Sequence, residues 1–168
     1  HLALTPGLKL ILLGAPAEHL GASLYLREVC GREDGPPPPV DLTQERQVGD
    51  FVRSQIKSGL SIVHVISDGG LLVAATEMAM AGGCGLDLSS IEPPRNPHAY
   101  WFGEDHGRFI LAAEHSDPIL AAAKAVGIEA RIIGSSDDSG ELKMAGGETM
   151  SIEQLSERHE RWLPDLMQ

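Results

Sequence analysis

One eleven-residue stretch constrains this chain more than any other: Ile62-Val63-His64-Val65-Ile66-Ser67-Asp68-Gly69-Gly70-Leu71-Leu72. An apolar run ends in Ser-Asp, crosses two glycines and enters a second apolar, helix-forming segment. That order predicts a buried strand, a tight turn and a helix start. Paired glycines allow positive φ and close backbone approach. A helix start behind such a turn offers unpaired N–H groups that suit an anion. A purely structural turn satisfies the same pattern, so these residues alone leave both readings open.

The remaining pattern alternates strands with helices. Leu8 to Leu13 is an apolar run closed by Gly14 and Pro16, which suits a central strand. Leu20 to Val29 predicts a short helix stopped by Gly31. Gly31 to Pro39 carries four successive prolines, which fix φ and lack an N–H, and reads as an exposed extended connection. A proline-rich ligand for another domain is the alternative there. Asp41 to Ser58 sets Val48, Phe51, Val52, Gln55 and Ile56 at helical spacing, an amphipathic helix ended by Gly59. Leu71 to Ala81 is apolar on nearly every side and predicts a buried helix, with Met78 and Met80 as core filler. Leu86 to Leu88 reads as a short edge strand, Ser89 to Pro97 as a loop and Arg108 to Ala113 as a strong strand. Asp117 is expected to cap a helix with Pro118 in its first turn, running to Val126 and stopped by Gly127. Ala130 to Ile133 and Glu141 to Met144 flank a polar loop and predict a hairpin. Ser151-Ile152-Glu153-Gln154 is a capping-box start for a last helix.

The class is therefore α/β (α+β): a mixed β-sheet of roughly four to six strands packed with helices. Leu10, Ile62, Val63, Leu72, Ile110, Leu111 and Ile132 are expected in its core. A chain of 168 residues suffices for a single domain over 1–168. The start, His1-Leu2-Ala3-Leu4-Thr5, has no Met and no basic signal-peptide region, so residues 1–7 read as a linker or tag edge. A formal charge of −11, with 13 scattered basic residues, argues against a nucleic-acid partner. No apolar run approaches the length of a membrane span, so no membrane partner is expected. Cys30 and Cys84 show no metal or redox spacing and are expected as free, buried thiols of a cytoplasmic protein. His64, in an apolar strand, reads as a hydrogen-bonded core histidine. The usual nucleophile-elbow, dinucleotide and phosphate-loop motifs do not occur, which argues against an autonomous hydrolase or ATPase.

Two further segments turn the pattern into a resemblance. Leu12-Leu13-Gly14 is followed by Glu18-His19-Leu20-Gly21-Ala22-Ser23-Leu24-Tyr25-Leu26, and Trp101-Phe102-Gly103-Glu104-Asp105-His106-Gly107-Arg108-Phe109 precedes Ile110. Together with Ser67 to Leu71 and the closing Glu160-Arg161-Trp162-Leu163-Pro164, they cover about Leu10 to Met167. In that order they resemble the carboxy-terminal domain of the aminoimidazole ribonucleotide synthetase superfamily, and within it the phosphoribosylformylglycinamidine synthase family. That family carries Leu-Gly-x-Ser-x-Tyr-Leu, Ser-Asp-Gly-Gly-Leu and Phe-Gly-Glu-x-x-x-Arg segments. The chain departs from it at Val65, where the family has an acidic residue, and at Asp105-His106-Gly107. Aminoimidazole ribonucleotide synthetase, selenophosphate synthetase, thiamine-monophosphate kinase and a non-catalytic docking module are the competing readings.

The resemblance implies a longer enzyme that converts formylglycinamide ribonucleotide to formylglycinamidine ribonucleotide. There ATP, served by Mg²⁺, activates the amide oxygen, and glutamine-derived ammonia displaces phosphate. Implied partners are the enzyme's own amino-terminal synthetase domains, a glutamine amidotransferase subunit and a small accessory subunit. The family's metal ligands and catalytic histidine lie in the amino-terminal domains, so this chain is expected to hold no catalytic or metal residue, to require no cofactor and to be silent alone. Asp68, Gly69, Gly70, Glu104 and Arg108 are the candidates for substrate or nucleotide contact at an interdomain cleft. The structural alternatives are Asp68 as cap of the helix at Leu71, and a Glu104–Arg108 ion pair that pins its loop. Faces deprived of a neighbouring domain, at Leu8 to Leu13 and Leu20 to Leu26, are expected as an exposed apolar patch or a homo-oligomer contact.

Overall fold

The computed structural model describes residues 1–92 and 95–167, and the side chains at 162–165 lie outside that description, including those of the Trp162-Leu163-Pro164 motif. The strands are β1 (Lys9–Leu13), β2 (Ile62–Val65), β3 (Gly85–Asp87), β4 (Phe109–Ala113), β5 (Ala130–Asp137), β6 (Glu141–Lys143) and β7 (Thr149–Ser151). The helices are α1 (Leu42–Lys57), α2 (Gly70–Gly82), α3 (Pro97–Phe102), α4 (Asp117–Ala125) and α5 (Ile152–Leu166). One mixed sheet runs in the order β2-β4-β1-β5-β3-β6-β7, with β1 central as its apolar run predicts.

Strand alternation divides the core in two. Leu10, Leu12 and Ile110 face a cluster with Leu71, Ala75 and Met78 of α2, Tyr100 and Trp101 of α3, and Ile152 of α5. Ile11, Leu13 and Leu111 face the other way, against Val48, Phe51 and Val52 of α1 and Ile119 and Ala123 of α4. The sheet is thus the middle of three layers. Helix α1 begins where the Asp41 carboxylate accepts the N–H groups of Thr43 and Gln44 at 2.9 and 3.1 Å. Ser151 caps α5 by accepting the Gln154 N–H. Among the described residues, no helix is long and apolar enough to cross a membrane.

Several expectations are corrected. The sheet has seven strands rather than four to six, because the short β6 and β7 extend it. Leu20 to Val29 forms only a π-helical turn at Tyr25–Val29. Ala22 sits at φ +60°, and Ser23 Oγ donates to the Leu20 carbonyl at 2.6 Å, so local bonds displace the helix. Helix α3 has no counterpart in the sequence reading; Asn96 caps it and Pro97 opens it. Asp117 does not cap α4: Ser116 holds that position, without a side-chain bond. The predicted hairpin is absent, since β5 runs on to Asp137 and pairs with β3 there. Strand β6 then adds in parallel to the other side of β3, which is interior rather than an edge.

Ile132 is 46% exposed, because a bulge against β1 turns Ile133 inward instead. Val63 and Leu72 are only half-buried, and α2 buries one face rather than its whole circumference. Within residues 1–7, Leu4 is fully buried and donates its N–H to the Met78 carbonyl. Leu8 to Leu13, expected as an exposed face, is core, whereas Leu20, Leu24 and Leu26 are half-buried. Cys84 is buried but Cys30 is exposed.

Candidate functional site

Strands β2 and β4 are antiparallel neighbours, so the end of β2 and the start of β4 lie together. The turn at 67–70 leaves β2 there, and the loop at 103–108 enters β4. The segment 18–24 joins them from β1, and together they wall a cleft of about 430 Å³ lined by Ala22, Asp68, Glu104, Glu45 of α1 and His106. A second hollow of about 330 Å³ shares Ala22, Asp68 and Glu104 and adds Arg27 and Glu33.

The turn is tight: Gly70 N–H donates to the Ser67 carbonyl at 3.0 Å, and Gly69 and Gly70 lie at φ +78° and +75°. A Cβ on Gly70 would stand 2.7 Å from the Phe102 carbonyl carbon, so the end of α3 demands glycine on steric grounds as well. Asp68 does not cap α2. The cap residue is Gly69, without a side-chain bond, and Asp68 is left exposed at the rim of the cleft. Glu104 makes the tie instead. Its Oε1 accepts the Gly69 N–H at 2.8 Å and the Leu24 N–H at 2.9 Å. The neighbouring Asp105 accepts the N–H groups of Glu18 and His19 at 3.2 and 3.4 Å, and its Oδ2 lies 2.8 Å from His19 Nδ1.

The expected Glu104–Arg108 pair is not formed. Arg108 is 1% exposed, lies beneath the cleft and donates from Nη1 to the Gly103 carbonyl at 3.1 Å. Among the described residues its Nε and Nη2 have no partner. Burial pulls this guanidinium down to about 10, against the opposing influence of Asp105 and Tyr100. His64 is hydrogen-bonded as expected, with Nε2 at 2.9 Å from Glu77 Oε2, but it is half-buried on the edge strand rather than in the core. Of the five predicted site residues, Asp68 and Glu104 line the cleft, Gly69 is tied to it through Glu104, and Gly70 and Arg108 do not line it. Sequence reasoning missed Ala22, Glu45 and the Asp105–His19 pairing. The only signal for Ala22 was its position between Gly21 and Ser23; Asp105 read as a variant residue inside a motif.

Asp68, Glu104, Glu45 and Glu33 face these hollows, and Arg27 is the one Lys or Arg among their lining residues. Among the described residues, no three His, Cys, Asp or Glu gather as metal ligands. That donor set does not fit a triphosphate with its Mg²⁺, which needs clustered cations or converging carboxylates. No chemical step through such a group is derived from this chain.

Residues 5–147 match the family described as AIR synthase related protein, C-terminal domain. The chain is 48% identical over 167 residues to the phosphoribosylformylglycinamidine synthase subunit PurL of Granulibacter bethesdensis, covering 99% of this chain and 22% of the relative. It is 50% identical over 163 residues to the same subunit of Methylocella silvestris, covering 94% and 22%. The chain therefore spans about a fifth of the length of these relatives. Among solved structures, T. maritima PurL complexed with FGAR superposes with a TM-score of 0.76 at 17% identity, over 92% of this chain and 28% of that one. At that identity the likeness concerns the fold.

Proposed function

The chain belongs to the family of AIR synthase related proteins, C-terminal domain, and on that premise we propose that it is the last domain of a PurL-type synthetase subunit. One observation carries the proposal: identity of 48–50% to PurL subunits over nearly the whole chain. The reaction would be the ATP-dependent conversion of formylglycinamide ribonucleotide and glutamine-derived ammonia to formylglycinamidine ribonucleotide, in the cytoplasm. ATP and Mg²⁺ would be held by the amino-terminal synthetase domains. A glutamine amidotransferase subunit and a small accessory subunit would complete the assembly.

Within that enzyme the chain acts by position. Asp68, Gly69, Gly70 and Glu104 form a preshaped wall that faces a neighbouring domain or its ligand. Arg108 supports the wall from beneath. The test is a chimera in which this chain replaces the last domain of the G. bethesdensis subunit, in cells lacking their own. Growth without purines is expected. A soluble chimera that assembles yet supports no growth and makes no product overturns the reading.

A further inference from the structure

Glu104 and Asp105 are consecutive, yet their carboxylates fasten different segments. Glu104 Oε1 bridges the Leu24 N–H on one wall of the cleft and the Gly69 N–H on the other, at 2.9 and 2.8 Å. Asp105 holds Glu18 and His19, at the other end of the same segment. Between the two ties, Ala22 occupies the left-handed region at φ +60°, a conformation costly to an L-residue unless its surroundings impose it. Tyr25 stacks on Phe102 at 4.7 Å between ring centroids, just beyond the Glu104 tie. Glu104, with Ala22 and Asp68, lines both hollows.

We propose that Glu104 and Asp105 form a latch: Asp105 anchors residues 18–24 to the loop before β4, and Glu104 sets their distance from the turn at 67–70. The two hollows stay separate while Glu104 keeps both bonds, and they join when it lets go. At the start of α2 the Gly69 N–H is engaged by Glu104 and the Gly70 N–H by the Ser67 carbonyl, so an anion that takes the Gly69 amide must displace the Glu104 carboxylate. Both are positioning residues, and the inference stands apart from the synthetase assignment.

Amide hydrogen exchange on this chain tests it. In Glu104→Ala, exchange at both Leu24 and Gly69 quickens about tenfold or more, the scale of a lost charge-assisted hydrogen bond. In Asp105→Ala it quickens at Glu18 and His19 while Gly69 keeps its protection. The amides of β1 stay slow in both, which separates a released latch from general loosening. Glu104→Gln keeps an acceptor oxygen and recovers part of the Leu24 and Gly69 protection. Unchanged exchange at these amides, quickening at Gly69 in the Asp105 variant, or acceleration throughout the chain overturns the latch.

Discussion

Arg108 carries a full charge into a place where, among the described residues, only Nη1 of its nitrogens finds an acceptor. Because burial sets its folded value below that of a free guanidinium, the cost is present at every pH below about 10 and is relieved only above it. The stem is a different matter, for Arg108 is among the largest fully buried side chains. Arg108→Met keeps that volume and removes the two unpartnered donors, at the expense of about 1–3 kcal/mol for the abandoned Gly103 carbonyl. Thermal unfolding of Arg108→Met is therefore expected within about 1 kcal/mol of the parent, whereas Arg108→Ala loses about 2–4 kcal/mol through the cavity. Equal large losses in both would show that the charge itself stabilises the fold. The same residue marks how far the site was legible in sequence. The spacing of Glu104 and Arg108 suggested an ion pair, because a four-residue loop lets such side chains meet. The structure gives them different partners, since the Gly69 and Leu24 amides offer Glu104 two donors that no local pattern reveals, while Arg108 turns to the Gly103 carbonyl. The two glycines of the turn were readable because their need is local: positive φ beside a close backbone.

At the scale of elements, β1, α1, α2, β4 and α4 were readable because their apolar spacing and stop residues are strong. The short β3, β6 and β7 were harder, for three residues carry no periodicity and their pairing is decided across the sheet. Their junction has its own acid sensitivity. Burial alone would raise the Asp137 carboxyl, but Lys143, at 2.7 Å, and Ser139 more than offset it and hold it below the ordinary range. Asp87 is also held low, by the Ser89 hydroxyl and its N–H. Both folded values lie below the unfolded ones. Their stabilisation is therefore complete above the ordinary carboxylate value of about 3.9 and is lost as pH falls through the folded values. The melting temperature should hold from about pH 6 to about 4 as far as these groups decide it, and fall below that. Asp137→Asn should melt lower than the parent at about pH 6 and lose less on acidification below about pH 4, so that the two curves draw together there. Parallel curves would remove Asp137 from this account.

Over the whole molecule the formal charge is −11, and the hollows repeat that sign with Asp68, Glu104, Glu45 and Glu33. A triphosphate approaching them meets like charge before any hydrogen bond. The donors that a phosphate would seek, the Gly69 and Leu24 N–H groups, already serve Glu104. Arg27 alone does not reverse this balance, because Glu28 engages its Nε at 2.7 Å. ATP with Mg²⁺ at about 1 mM should thus shift the melting temperature of this chain by less than about 1 °C, the order expected when the dissociation constant is no tighter than the concentration used. No phosphate should be released from ATP, with or without ammonia and formylglycinamide ribonucleotide. The comparison that decides the matter is Glu104→Ala beside the parent, both titrated with inorganic phosphate. If the wall is closed by its own carboxylate, this variant responds to inorganic phosphate more than the parent does. A saturable shift of several degrees in the parent itself would mean that the acidic wall accepts nucleotide unaided, and the case for a purely positioning domain would fall with it.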